Sequence, residues 1–202
     1  MDRFERIQKF DRFIAMEGII SKLSNRKIML SKRIIRDMDK MPKFRNMEEL
    51  YQAALSAEKN TYERREVDGL VEGLPYILQI DDDAPSDGGK VIAMLKKIQR
   101  SVGKAQNVVA EYIVNEYNES EGKSGAWAWS NTDEPFSPRK ASDATARIRL
   151  EAIDIQVNAK GVHVILWFDD GELWYGHSIV VGDLFDLSGN MSKDTMTVSI
   201  EG

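Results

Sequence analysis

The stretch Phe168–Val181, FDDGELWYGHSIVV, gathers residue types that can do chemistry more densely than any other part of the 202-residue chain. Asp169, Asp170 and Glu172 surround Gly171, and His177 and Ser178 follow closely. Carboxylates beside an imidazole are what general acid–base catalysis or a cation site would need. Spacing argues against both. Asp170-Gly171 is a strong signal for a two-residue hairpin turn, because both residues tolerate positive φ. That turn sets Asp169 opposite Glu172, Trp167 opposite Trp174 and Val164 opposite His177, with alternate side chains on alternate faces. His177 then lies on an apolar strand face, more than about 10 Å from the turn at 3.3 Å per residue. Ligands of one ion sit about 2.0–2.6 Å from it, which so wide a spread does not satisfy. The expectation is a turn whose acids face water and a histidine packed among hydrocarbon. No catalytic, cofactor-binding or metal residue is assigned, and no cofactor is expected. The candidate functional set is Asp169, Asp170, Glu172, His177 and Ser178, joined by Trp127 and Trp129 from a Ser/Gly/Pro-rich loop.

Elsewhere the chemistry is sparse. The chain has two histidines and no cysteine, which removes disulfides, thiolate zinc sites and a cysteine nucleophile. Neither a nucleophile-elbow GxSxG, a phosphate-binding GxxxxGK[ST] nor a GxGxxG occurs. Charge is more informative. The net charge is −5, yet the first 45 residues hold 13 Lys/Arg against 6 Asp/Glu and the rest 15 against 27. A basic extension on an acidic body follows. Lys22, Arg26, Lys27, Lys32, Arg33 and Arg36 form its candidate basic surface. The charged start MDRFERIQKF is unlike a secretory signal, and no apolar run reaches the roughly 18 residues of a membrane span. A cytoplasmic protein without a membrane partner is expected.

The positioning elements come from periodicity. Phe4, Ile7, Phe10, Phe13 and Ile14 recur at helical spacing, and Arg26–Met41 continues with Ile28, Ile34, Ile35 and Met38. Asn46 and Glu49 form a capping-box-like start for a third helix. Residues 1–60 thus read as a basic helical extension and 61–202 as an acidic α+β domain. In the latter, EVDGLV and LPYILQI flank the turn Glu72-Gly73. Ser86 or Asp87 caps a long helix whose Val91, Leu95, Ile98, Val102, Ala105, Val109 and Tyr112 make one stripe, with a kink expected at Gly103. That stripe is expected to cover a sheet. Ser137-Pro138 starts a short helix to about Ala146. IRLEAIDIQV changes phase between Ala152 and Ile153, as a bulge does. VHVILWF, the strand after the acidic turn and TMTVSI complete an antiparallel sheet of about six strands.

FDDGELWYGHSIVV, preceded by ARIRLEAIDI and followed by IEG, resembles the uncharacterised bacterial domain-of-unknown-function 2262 family. The likeness extends back through LPYILQIDDD, the long helix and the tryptophan loop, over roughly residues 62–202. The resemblance marks Asp169, Asp170, Gly171, His177 and Ser178 as motif positions and brings no activity or cofactor with it. By analogy with small α+β domains of bacterial conflict loci, it suggests an immunity or defence-accessory role.

Three functions are therefore carried forward. The first is a non-enzymatic protein-interaction domain, binding another protein or self-associating through the N-terminal helices. The second is a ligand- or metal-binding domain, or an enzyme, using the acidic rim and His177. The third is nucleic-acid binding through the basic N-terminal helices.

Overall fold

The computed structural model describes residues 40–122, 127, 130, 131, 133 and 136–201. The helices expected before residue 40, the six basic candidates from Lys22 to Arg36, and Trp129 lie outside the described residues.

Among the described residues, seven strands form one sheet in sequential order: β1 (Lys43–Phe44), β2 (Arg65–Val71), β3 (Leu74–Ile80), β4 (Arg149–Asn158), β5 (Gly161–Asp169), β6 (Ser178–Gly182) and β7 (Thr197–Glu201). The described residues also form the helices α1 (Met47–Ser56), α2 (Gly88–Val102), α3 (Ala105–Ser120) and α4 (Ala141–Thr145). The α+β class is as expected, but the sheet is mixed rather than antiparallel. β1 runs parallel to β2 and β3 parallel to β4, while the other pairs are antiparallel. Connection length explains this. A tight turn can only reverse the chain, whereas residues 81–148 carry three helices from the end of β3 back to the start of β4.

Local signals account for most elements. Glu72 and Gly73 take positive φ, 53° and 81°, so β2 and β3 meet in a two-residue turn that pairs Val71 with Leu74. Asn46 caps α1 by accepting from the Glu48 and Glu49 amides. Asn46→Ala should lower stability by about 1 kcal/mol, read from the midpoint of urea unfolding. Although expected within the 1–60 extension, α1 contributes Met47, Leu50, Tyr51 and Ala54 to the body's core. The long helix is two, α2 capped by Asp87 and α3 starting after Gly103-Lys104. Its stripe is buried from Val91 to Val109 in one cluster with Tyr76, Leu78 and Ile80 of β3 and Ile153, Ile155 and Val157 of β4. The stripe is a sheet cover.

The opposite sheet face has a different character. Leu70, Ile77, Ala152 and Trp167 are buried there together with Asp154, and they stand outside the main cluster. Asp154 lies beside Ile77 and Ile165 in the register and accepts from the Gln79 amide. Among the described residues, no helix is long and apolar enough to cross a membrane.

Candidate functional site

β5 ends at Asp169 and β6 begins at Ser178, so residues 170–177 are a loop rather than the two-residue turn expected. The register differs throughout: Asp169 pairs with Ser178, Phe168 with Ile179 and Trp167 with Val180. What forces the longer loop is packing. Leu173 and Trp174 leave the strand direction and enter the core, where they are 2% and 1% exposed. Trp174 meets Trp127 with ring centroids 4.9 Å apart, and Trp127 also touches Tyr117 at 5.0 Å and Phe136 at 6.4 Å. Trp127 therefore packs against the domain, as two tryptophans in one loop suggest, and is itself buried.

Asp170 is fully buried, where the sequence reading put it in water. Its Oδ1 accepts from the Glu172 amide at 3.0 Å, and its Oδ2 accepts from the Trp174 and His177 amides at 2.7 and 3.1 Å. One carboxylate thus takes three backbone donors of a loop folded on itself, of which the His177 amide also reaches the Trp174 carbonyl at 3.3 Å. The His177 backbone lies within hydrogen-bond reach of Asp170, not 10 Å away, because the chain doubles back before β6 instead of running on as a strand. Asp169 is also engaged: Oδ1 accepts from the Gly171 amide at 2.8 Å and Oδ2 from Arg149 Nη2 at 3.1 Å.

The loop is braced from outside. Asn131 Nδ2 donates to the Glu172 carbonyl and the Asn131 amide to the Leu173 carbonyl, at 3.0 and 2.8 Å. Arg147 Nη1 donates to the Gly171 carbonyl at 3.2 Å. Gly171 must be glycine: its φ is +58°, and a Cβ there would lie 2.4 Å from the Arg147 carbonyl oxygen. Glu172 and Tyr175 also hold positive φ, 66° and 58°, without being glycine, a strained conformation that only a well-fixed surround maintains. Tyr175 is nonetheless 51% exposed.

Beneath the loop, β4 bulges at Glu151, so that Leu150 opposes Phe168 and Ala152 opposes Trp167. The phase change in IRLEAIDIQV signals this bulge one residue late. Glu151 is largely shielded and shares Arg149 with Asp169, at 3.6 and 3.1 Å. Burial, then the Asp169 charge, push its carboxyl pKa above the ordinary value, with Arg149 opposing and Asp170 adding. A carboxyl whose pKa is higher folded than unfolded binds its proton more tightly in the fold. Its ionised form therefore costs stability at neutral pH, and that cost fades as pH falls through the raised pKa. Glu151→Gln should raise stability at pH 7, with the gain vanishing in acid where wild-type Glu151 is itself protonated; denaturation midpoints across pH 3–8 (roughly the range set by carboxyl titration) measure it.

The structure thus gathers Asp169, Asp170, Glu172, His177, Ser178 and Trp127 into one locus, tied mainly through main-chain bonds and ring contacts. Sequence reasoning passed over Arg147, Arg149, Glu151, Asn131 and Tyr175. Only Glu151 carried a local signal, the bulge. Among the described residues, no group of three His, Cys, Asp or Glu side chains is placed to hold a metal ion.

The family model that matches the chain, over residues 48–196, is described as an uncharacterized protein conserved in bacteria, DUF2262. The match begins within α1 and includes the whole acidic loop. No curated protein and no solved structure matches the chain.

Proposed function

We propose, from the premise that this chain belongs to that bacterial family, that it is a protein-interaction domain whose binding element is the Asp170-centred loop. The observation that carries this reading is a loop fixed from within and presenting an exposed tyrosine. Asp170, Asn131 and Arg147 hold residues 171–177 in one conformation, and Tyr175 projects half-exposed from it. Tyrosine on a pre-ordered loop supplies contact area with little conformational entropy left to lose on binding.

Charge narrows the partner. Residues 46–202 carry 15 Lys/Arg against 27 Asp/Glu, which complements a basic protein and speeds encounter with it. An immunity or defence-accessory protein facing a basic, nuclease-like toxin is the most concrete form of this proposal. The test is capture from the native host with the full-length chain at low salt. A stoichiometric basic partner should be retained by wild type and released by salt. Tyr175→Ala should weaken binding by about 2 kcal/mol, roughly thirtyfold, at a temperature where unfolding curves show the variant still folded. Equal binding by Tyr175→Ala would defeat the proposal.

A second reading, ligand or cation binding at the rim, is favoured by the shielded Glu151 beside Asp169. Calcium titration followed at the Gly171 amide resonance tests it, and an unmoved resonance at millimolar calcium rejects it. Nucleic-acid binding through Lys22, Arg26, Lys27, Lys32, Arg33 and Arg36 rests on the charge of the extension alone. A gel shift missing at low ionic strength removes it.

A further inference from the structure

The two edges of the sheet are built differently. At one, β1 is only two residues long, follows Pro42 and carries Lys43. Shortness, proline and lysine are the usual devices that stop an edge strand from pairing with another chain. At the other edge, β7 reads TVSIE, with no proline, no lysine and no bulge. Four of its five residues are Thr, Val, Ser or Ile, types that fit an extended strand or leave it undisturbed. All five are partly buried, and among the described residues its outer side pairs with no strand.

The sequence of β7 is self-complementary. Val198 and Ile200 face the helical layer and pack on its core, while Thr197, Ser199 and Glu201 point to the other face, where the Ser199 hydroxyl donates to Glu201 at 3.2 Å. Consider two copies paired antiparallel about a two-fold axis through Ser199. Directly opposed residues then share a face. Val198 meets Ile200 of the second copy on the apolar side, Thr197 meets Glu201 on the polar side, and Ser199 meets itself. The two Glu201 carboxylates fall about 13 Å apart, four residues along the strand at 3.3 Å each, so no like charges oppose one another. Shifting the register by one residue would set Val198 against the partner's Ser199 or Glu201 and lose the match.

We infer that β7 is a dimerisation edge: two copies of this chain join antiparallel through Thr197–Glu201, centred on Ser199, into one continuous sheet. The contact is isologous, so it closes at two chains and does not propagate. It leaves the loop at Tyr175 outside the paired edge and makes the assembly bivalent for any partner bound there.

Sedimentation equilibrium of the full-length chain over a range of concentrations tests this. Wild type should show a monomer–dimer equilibrium. Ser199→Lys and Ser199→Glu each place two like charges at the dyad, with Cβ atoms roughly 5 Å apart, and should weaken dimerisation about tenfold or more. Mixing the two variants should restore a heterodimer at least as tight as the wild-type homodimer, which a folding defect would not produce. Amides on the outer side of β7 should exchange more slowly as concentration rises. A wild-type monomer at all concentrations, a dimer indifferent to both substitutions, or β7 exchange independent of concentration would each overturn the assignment. Slow β7 exchange at every concentration would mean that the edge is covered within the chain.

Discussion

Asp170→Ala should destabilise the protein by about 3–5 kcal/mol and lower its melting temperature by roughly 6–20 °C, taking 2–4 °C per kcal/mol for a chain of this size. The side chain is wholly buried, and its two oxygens accept from three amides at 2.7–3.1 Å. Truncation removes the acceptor of the Glu172 and Trp174 amides and leaves the His177 amide only its 3.3 Å bond to the Trp174 carbonyl. The Trp174 amide sits in the core, where no water replaces the lost acceptor. Hydrogen bonds to a charged acceptor are worth about 1.5–3 kcal/mol each, but they are not additive when one group makes all three. Asp170→Asn keeps the volume and one acceptor oxygen while turning an NH2 towards a donor. It should fall between wild type and alanine, costing roughly 2–3 kcal/mol. Differential scanning calorimetry and urea unfolding measure both. The ordering wild type, Asn, Ala separates loss of acceptors from loss of volume.

Trp174→Ala should cost about 3–5 kcal/mol by a different mechanism. Trp174 is among the largest fully buried side chains, at 1% exposure, and it closes an aromatic group with Trp127, Tyr117 and Phe136. Arg147 lies over the Phe136 ring at 5.4 Å, so the same guanidinium that holds the Gly171 carbonyl also covers this cluster. Deleting the indole opens a cavity under the acidic loop that the surrounding strands relax into only partly. Trp127→Ala should cost a similar amount. The double variant should be less destabilised than the sum of the two by roughly 0.5–1.5 kcal/mol, the coupling expected of two aromatic rings in contact. Strict additivity would mean that the two indoles do not stabilise each other.

Much of the fold was legible because period and capping are local. The alternation in EVDGLV, LPYILQI, VHVILWF and TMTVSI located strands, and the stripe from Val91 to Val109 located α2 and α3 and the face they bury. Strand direction was not legible. Alternation reports which residues share a face and says nothing of the neighbour's orientation, so the parallel pairs β1–β2 and β3–β4 came out only with the crossover. β1 is too short to show any period.

The acidic loop misled for a specific reason. Asp170-Gly171 signals a tight turn, and Gly171 does take positive φ. The following Leu-Trp-Tyr looks like a strand, but Trp174 is drawn away by Trp127, a partner 47 positions earlier in the chain. Once Trp174 turns inward, Asp170 is carried in with it and becomes the acceptor for the loop's amides. A tertiary contact overrode a local propensity. Tyr175 escaped notice because its exposure follows from that same detour. Arg149 and Glu151 escaped because only the bulge sets them beside Asp169.

Amide hydrogen exchange at Trp174 and His177 tests the central claim most directly, since both amides are bound by the Asp170 carboxylate rather than by a strand partner. Exchange as slow as in the interior of β4 and β5 for both, speeding by orders of magnitude in Asp170→Ala, is the predicted result. Fast exchange of both amides in the wild-type protein would contradict it, and a loop that yields its amides to water that readily could not present Tyr175 in a fixed conformation.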